Sequence, residues 1–177
     1  MKSNIIIFCV LAFAWGSSCK RVEEPTPIIG PTYFPLETGK YTTFSVLELT
    51  HDAFLEQTDT VEYLLRETIG TILPESPEGT HKLIVERSND SGSTWEFQYF
   101  GTLHKDDYSA ERAENNERTV KLSFPFKDRK SWDANELNSK DFQTARLRNI
   151  NQPDTLLSGK IFDQTVLVDL GDDQDPF

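Results

Sequence analysis

Segments in which apolar and polar residues alternate recur along the chain, and they limit the fold more than any other feature. The segment 60–69 is the clearest, because Val61, Tyr63 and Leu65 alternate with polar residues such as Glu62. A period of two places successive side chains on opposite faces of an extended strand. β-Branched and aromatic residues, which favour strands, predict further strands at 41–49, 81–88, 93–103, 119–124, 141–150 and 160–170.

The best-defined hairpin joins the strands at 81–88 and 93–103. The residues between them, 89–92, read Asn-Asp-Ser-Gly, and Gly92 can adopt the positive φ that a tight turn requires. In the second strand Trp95, Phe97 and Tyr99 are expected to share one face. A row of large aromatic side chains on one face has to pack against a second layer.

About seven strands joined by short turns, with few or no long helices, predict an all-β, mainly antiparallel domain. The strands are expected to form a meander that curls into a half-barrel, a barrel or a layered sheet. The charged segment 105–116 is left open between a surface loop, a short helix from Ser109 and an edge strand. Trp132 is expected to fold back on the sheet. The single β-rich domain is assigned to residues 33–177.

The first residues predict that the chain is exported. Lys2 precedes an almost unbroken apolar run from Ile5 to Trp15, and the small residues Gly16, Ser17 and Ser18 follow it. This is the layout of a secretory signal peptide. The run is shorter than the roughly 20 apolar residues of a membrane-spanning helix. Residues 1–18 are therefore interpreted as a signal peptide.

Cys19 follows the small residues directly, and Gly16-Ser17-Ser18-Cys19 resembles the lipobox of bacterial lipoproteins. The aliphatic residue that is usual three places before the cysteine is replaced by Gly16. The resemblance implies cleavage before Cys19 and acylation of its thiol and its new amine. Two or more acyl chains hold a protein stably on a membrane, whereas one does not. The alternative is an ordinary secreted protein cut near Ser17 or Ser18, with Cys19 a spare thiol.

Residues 19–32 are interpreted as the lipidated Cys19 and a flexible, proline-rich tether, since Pro25, Pro27 and Pro31 favour extended, solvated backbone. Glu23 and Glu24 resemble the acidic export signals of surface lipoproteins in Bacteroidota, and the alternative is a solvated charge pair. The expected location is the outer membrane, on its periplasmic face or on the cell surface.

The net charge of −11 argues against binding to nucleic acid. Affinity for phosphates requires clusters of Lys and Arg, and the sequence has none. An acidic chain should also not lie flat on an anionic lipid surface. Cys9 leaves with the signal peptide and Cys19 is expected to be acylated, so the domain would have no disulfide. The hydrophobic core would then have to hold the fold alone.

Two segments resemble a group of uncharacterised Bacteroidota lipoproteins. The first, 33–44, reads Tyr-Phe-Pro-Leu-x-x-Gly-x-Tyr-x-x-Phe, and the second runs from Glu-Asn-Asn at 114–116 through Lys-Leu-Ser-Phe-Pro at 121–125 to Ser-Trp-Asp-Ala-Asn at 131–135. The chain departs from the family at Thr42, where Trp is usual, and at Arg129 and Ala134, where glycines are usual. Such proteins tend to continue past the strand near Leu170, which implies that this domain lacks a terminal strand or two and has an open edge. The resemblance implies no activity.

No motif of catalysis or metal binding is found, and no cofactor is predicted. His51, His81 and His104 have no metal-ligand spacing and are interpreted as surface residues. The aspartates at 172, 173 and 175 lack the spacing of a calcium loop and are interpreted as a solvated tail. There is no Gly-x-Ser-x-Gly, Ser-x-x-Lys or glycine-rich phosphate loop. Carboxylates are abundant, but glycoside hydrolysis depends on their separation in space.

Aromatic side chains are the remaining candidates for a site, namely Trp95, Phe97, Tyr99 and Trp132. They would either line a ligand cavity inside the curled sheet or form a packed core, and the core is favoured because aromatics at a period of two are typical of any half-buried strand.

Three functions stay open. The preferred one is a non-enzymatic, lipid-anchored envelope protein that binds an unidentified protein or small hydrophobic partner, with Cys19 as its link to the membrane. The others are a lipocalin-like carrier of a hydrophobic ligand and an envelope hydrolase with dispersed carboxylates.

Overall fold

The computed structural model describes residues 30–54 and 56–171. Strands take up 60% of these residues, and no α-helix is found among them, so the prediction of an all-β fold is confirmed. Within the described ranges a 3₁₀-helix at Pro31–Tyr33 is followed by nine strands: β1 Tyr41–Asp52, β2 Gln57–Ile72, β3 His81–Ser88, β4 Glu96–Lys105, β5 Ser109–Glu114, β6 Glu117–Ser123, β7 Ser131–Asp133, β8 Thr144–Thr155 and β9 Ile161–Leu170. Nothing helical in the described ranges has the length and hydropathy to cross a membrane.

Several predictions fall on residues outside the described ranges. These are the signal peptide at 1–18, the lipidation site Cys19, the tether as far as residue 29 with its acidic pair Glu23 and Glu24, and the acidic tail at 172–175.

The strands form two antiparallel sheets, one of order β1-β2-β3-β4-β5-β6 and one of order β7-β8-β9. The six-stranded sheet is curled into a half-barrel, which was one of the predicted forms. The sheets meet at β6, where the amide of Val120 donates a hydrogen bond of 3.0 Å to the carbonyl of Ala134. Trp132 of β7 folds back as expected, and its Nε1 donates to the Val120 carbonyl at 3.0 Å.

The charged segment 105–116 contains an interior strand, which none of the three predicted alternatives described. β5 is hydrogen-bonded to β4 on one side and to β6 on the other, so it is not an edge. Charged side chains are tolerated there because they pair with one another. Arg118 forms an ion pair with Glu111, and Arg112 forms one with Glu114.

The turn between β3 and β4 has the predicted conformation, with φ of 57° at Ser91 and 93° at Gly92. Asp90 stabilises it by accepting hydrogen bonds from the hydroxyl of Thr94 at 2.6 Å and from that of Ser88 at 2.7 Å. These bonds, the one from Thr94 first, lower the pKa of Asp90 to about 2.

The predicted single row of aromatics on β4 is wrong, because the β3–β4 register shifts between Val85 and Glu86. A β-bulge of this kind changes the face on which the following side chains lie. Tyr99 stands opposite Val85 and packs on the inner core. Phe97 stands opposite Glu86, is 53% exposed, and has its ring centroid 4.4 Å from that of Phe100.

The described part of the chain has two buried core clusters, and Phe34 packs against both. One cluster contains Ala110, Leu122, Phe124, Phe126 and Leu147, and the other contains Leu83, Val85 and Leu103.

The residues at 30–32, assigned to the tether from the sequence, belong to the packed domain. Gly30 is buried so closely against Phe126 that a Cβ at Gly30 would lie 2.4 Å from the Phe126 ring. Lys105 donates to the carbonyls of Pro31 and Phe34 at 3.0 and 2.9 Å. Proline is compatible with the first turn of a helix, so Pro31 can begin the 3₁₀-helix.

A cleft inside the half-barrel

An open cleft of about 620 Å³ lies between the inner face of the six-stranded sheet, strand β9 and the segment that precedes β1. Binding sites for small molecules usually measure about 300–1,000 Å³. The cleft is lined by Tyr33, Phe34, Pro35, Leu36, Lys40, Tyr41, Thr42, Glu67, Ile69, Leu83, Leu103, Arg112, Lys121, Leu122, Val166 and Val168.

Most of the cleft wall is apolar. Phe34 and Leu36 on one side and Ile69 and Leu83 on the sheet also belong to the core, so these parts of the wall are held by packing. Val166 and Val168 of β9 close the far side and pack against the other core cluster. A wall built on core residues keeps its shape without a ligand, which lowers the cost of ordering when a ligand binds.

One end of the cleft is polar and is organised by Arg112 of β5. The guanidinium donates to both carboxylate oxygens of Glu67 at 2.9 and 2.6 Å, and to both of Glu114 at 3.0 and 2.9 Å. Tyr99 donates its hydroxyl to Glu114 at 2.9 Å. We call these four residues the arginine cluster. Gly101 of β4 lets β5 approach closely, because a Cβ at Gly101 would lie 2.7 Å from the Ala113 carbonyl.

The arginine cluster keeps Glu114 and Arg112 ionised and keeps the Tyr99 hydroxyl protonated. Burial acts to raise the pKa of Glu114, but the hydrogen bonds from Arg112 and Tyr99 outweigh it and lower that pKa. Burial acts to lower the pKa of Arg112, and hydrogen bonds to Glu67 and Glu114 reverse the effect and raise it. Burial, followed by the bond to Glu114, raises the pKa of Tyr99. A catalytic acid near neutral pH needs a carboxyl with a raised pKa, and Glu114 has the opposite.

Lys121 enters the cleft through a β-bulge in β6. The pairing of β5 with β6 shifts between Ala110 and Glu111, so that Val120 and Leu122 have partners and Lys121 is the extra residue. Bulges frequently occur beside functional sites, where they redirect a side chain. Lys121 and its neighbour Leu122 consequently both line the cleft, although regular alternation would separate them.

The ammonium of Lys121 forms no hydrogen bond or ion pair with any residue in the described ranges. Solvent reaches this side chain, yet the surrounding protein and the charge of Arg112 still act on it. Burial is the main effect that lowers the pKa of Lys121, and the positive charge of the neighbouring Arg112 lowers it further. The other two cations of the lining have partners, since Lys40 pairs with Glu37 and Arg112 with two carboxylates.

None of the four predicted aromatic residues lines the cleft. Tyr99 comes nearest, as a member of the arginine cluster. Trp132 packs against the core cluster that contains Leu147. Trp95 belongs neither to the cleft lining nor to the two core clusters. The Arg66 guanidinium lies 4.2 Å from its ring centroid.

The sequence patterns did not identify the polar residues of the cleft, although one signal for a buried polar group was present. Glu67 stands between Leu65 and Ile69 at the position where the alternation of 60–69 demands an inward side chain. A carboxylate on an otherwise apolar face needs a buried partner. Arg112 and Lys121 carried no such signal, because their positions depend on strand pairing and on the bulge.

Two of the three histidines are buried, and the expectation of surface positions is wrong for them. His81 is 7% exposed with Nδ1 3.2 Å from the Gly70 carbonyl, and His104 is 9% exposed with Nδ1 3.0 Å from the Thr80 hydroxyl. His51 is exposed, as predicted. Within residues 30–54 and 56–171 no three His, Cys, Asp or Glu side chains are grouped to hold a metal ion.

Fold and cleft together define an all-β half-barrel with an open, ligand-sized cleft. Comparison with known protein families, with curated proteins and with solved structures finds no match to this chain. The interpretation of the cleft therefore depends on its own geometry.

Proposed function

We propose that this chain is a lipid-anchored protein of the bacterial cell envelope whose half-barrel binds a small hydrophobic ligand. The observation that carries the binding role is the cleft of about 620 Å³ with preformed apolar walls. An apolar cavity with a few polar groups at one end is typical of sites for small molecules. The leader and Cys19 support the anchored location.

This proposal joins the preferred function from the sequence with the carrier alternative. The carboxylates of the cleft do not favour the hydrolase alternative. Glu67 and Glu114 both bind the same guanidinium, and the pKa of Glu114 is lowered. Glu114 is therefore not the acid with a raised pKa that glycoside hydrolysis requires.

Fractionation tests the anchor. The wild-type chain should be found with membranes and should incorporate a labelled fatty acid, whereas Cys19→Ala should be released and remain unlabelled. Membrane association of Cys19→Ala, together with an unlabelled wild type, would contradict the anchor without affecting the cleft.

Ligand binding is tested on the full chain carrying Cys19→Ala, so that no detergent competes. We expect it to bind the neutral fluorescent probe N-phenyl-1-naphthylamine, and native mass spectrometry should detect co-purifying hydrophobic molecules. Thr42→Trp should block the cleft, because Thr42 lines it and stands where the resembling proteins tend to have Trp.

The matched control is Thr43→Trp. Thr43 is the next residue of the same strand and stands opposite Arg66, whereas Thr42 stands opposite Glu67, so the two threonines lie on different faces of β1. Probe binding should fall in Thr42→Trp and stay unchanged in Thr43→Trp. Equal binding by both variants, or none by the parent chain, would refute a ligand-binding cleft.

A further inference from the structure

We infer that the cleft takes a single-tailed amphiphile with a singly charged anionic head, and that the ammonium of Lys121 holds that head. The inference depends on the proposed function, because it names the class of ligand for the same cleft. It follows from three features: the hydrogen bonds still available at the polar end, the charges there, and the position of the apolar wall.

The available hydrogen bonds identify Lys121 as the group that contacts the head. Both carboxylate oxygens of Glu67 and both of Glu114 already accept bonds from Arg112. The guanidinium uses four of its five N–H donors for these bonds, while none of the three N–H donors of Lys121 has a partner in the described ranges. A ligand oxygen that accepts from Lys121 would therefore displace no existing bond.

The balance of charge favours a monoanion. The polar end holds two cations, Arg112 and Lys121, and two carboxylates, Glu67 and Glu114. A cationic head would leave Lys121 without a partner and bring another positive charge beside it. A doubly charged phosphate would place two negative charges beside two carboxylates already present, and like charges at short range repel. A carboxylate head gives Lys121 one charge-assisted partner.

The position of the apolar wall favours one tail attached to that head. Lys121 is adjacent in sequence to Leu122, and Leu122, Ile69 and Val168 are among the apolar residues that line the same cleft. A head at Lys121 can therefore lie at one end while its tail covers the apolar wall. The volume of about 620 Å³ suits one chain of a small amphiphile.

Matched ligands test the inference on the full chain carrying Cys19→Ala. Dodecanoate and dodecanol share a tail and differ in head charge, and dodecyl phosphate and dodecyltrimethylammonium extend the series. Affinity is measured by displacement of N-phenyl-1-naphthylamine. We expect dodecanoate to bind about tenfold or more tightly than dodecanol, as one charge-assisted hydrogen bond allows.

Three variants assign the effect to the ammonium. Lys121→Met should remove the preference for dodecanoate over dodecanol, and Lys121→Arg should retain that preference. Lys82→Met is the control, because Lys82 does not line the cleft and its ammonium lies 3.3 Å from the Phe100 ring centroid. In the chain with Lys121 intact, the preference for dodecanoate should also decline as the pH rises and the ammonium loses its proton. The affinity for dodecanol should stay constant.

The outcomes separate this inference from the proposed function. If no amphiphile displaces the probe and the probe itself does not bind, the ligand-binding function fails. If dodecanol and dodecanoate bind equally in both the parent and Lys121→Met, the cleft binds hydrophobic ligands and the role of Lys121 is refuted. If dodecyl phosphate or dodecyltrimethylammonium bound more tightly than dodecanoate, the inference of a singly charged anionic head would be overturned. Equal loss of dodecanol and dodecanoate in Lys121→Met would also refute a contact with the head.

Discussion

Arg112→Met should destabilise the domain strongly at neutral pH. The substitution removes the only guanidinium of the arginine cluster and leaves Glu67 and Glu114, whose side chains are 19% and 32% exposed, without their cation. Removal of one partner from a buried ion pair costs about 3–5 kcal/mol. Because these carboxylates keep some contact with water, we expect about 3 kcal/mol. For a domain of this size that corresponds to about 6–12 °C in Tm.

The loss should become smaller as the pH falls. In the wild type the pKa of Glu114 is lowered, so the stability it contributes is present above its unfolded pKa of 4.5 and is lost as the pH falls through the lower, folded value. Without Arg112, burial is opposed by the hydrogen bond from Tyr99 and the charge of Lys121 alone, so the pKa of Glu114 should rise and protonation of that carboxyl should cost the variant less stability than it costs the wild type. The free energies of unfolding of the two proteins should therefore approach each other near pH 4.

Urea unfolding followed by circular dichroism at pH 7 and pH 4 measures both effects. The control is Lys140→Met, which breaks an ion pair of 2.6 Å whose side chains are about half exposed, and it should cost less than about 1 kcal/mol. The triple variant Glu67→Gln, Arg112→Met, Glu114→Gln should recover most of the loss. A cost below about 1 kcal/mol for Arg112→Met, or one that is equal at both pH values, would refute the reasoning.

Three further substitutions test the core and the β3–β4 turn. Gly30→Ala should lower the free energy of unfolding by about 1–3 kcal/mol, because its Cβ would overlap the buried Phe126 ring, and thermal unfolding would detect this; an unchanged Tm would show that residue 30 is not packed. Leu147→Ala, at a fully buried position, should cost about 3 kcal/mol in urea unfolding, and a cost below 1 kcal/mol would contradict its place in the core. In the wild type, the lowered pKa of Asp90 causes a loss of stability as the pH falls from 3.8 towards 2. Asp90→Asn should abolish this loss, so acid unfolding of the variant should depend less on pH in that window. Identical acid unfolding profiles of the two proteins would disprove the role of Asp90.

The strands were predictable because the signal for a strand is local. The segment 81–88 is a strand with the predicted bounds, and the other six predicted strands differ from the structure mainly at their ends, whereas β7 was not predicted and β5 lay in the segment that was left open. The turn at 89–92 was equally local, since Asp90 and Gly92 act on residues within a few positions of themselves. The half-barrel was one of three predicted forms, because a meander of half-buried antiparallel strands has few ways to cover its apolar face.

The faces of individual side chains were not predictable wherever a bulge interrupts the pairing. Strict alternation placed Phe97 with Tyr99, but the shift beside Val85 separates them. A second shift, in β5–β6, brings Lys121 into the cleft beside Leu122. A bulge depends on how two strands fit each other, and neither strand's own period reveals it.

The sequence by itself determined an all-β meander and the positions of its turns, because strand alternation and turn conformation depend on residues that are close along the chain. Only the tertiary structure decided that a cleft exists and which charges line it. Glu67 and Arg112 are 45 residues apart, and their hydrogen bonds form because the intervening strands curl and bring β2 and β5 to the same concave face. The contact depends on strand register and sheet curvature, which are properties of the whole sheet and not of any one segment.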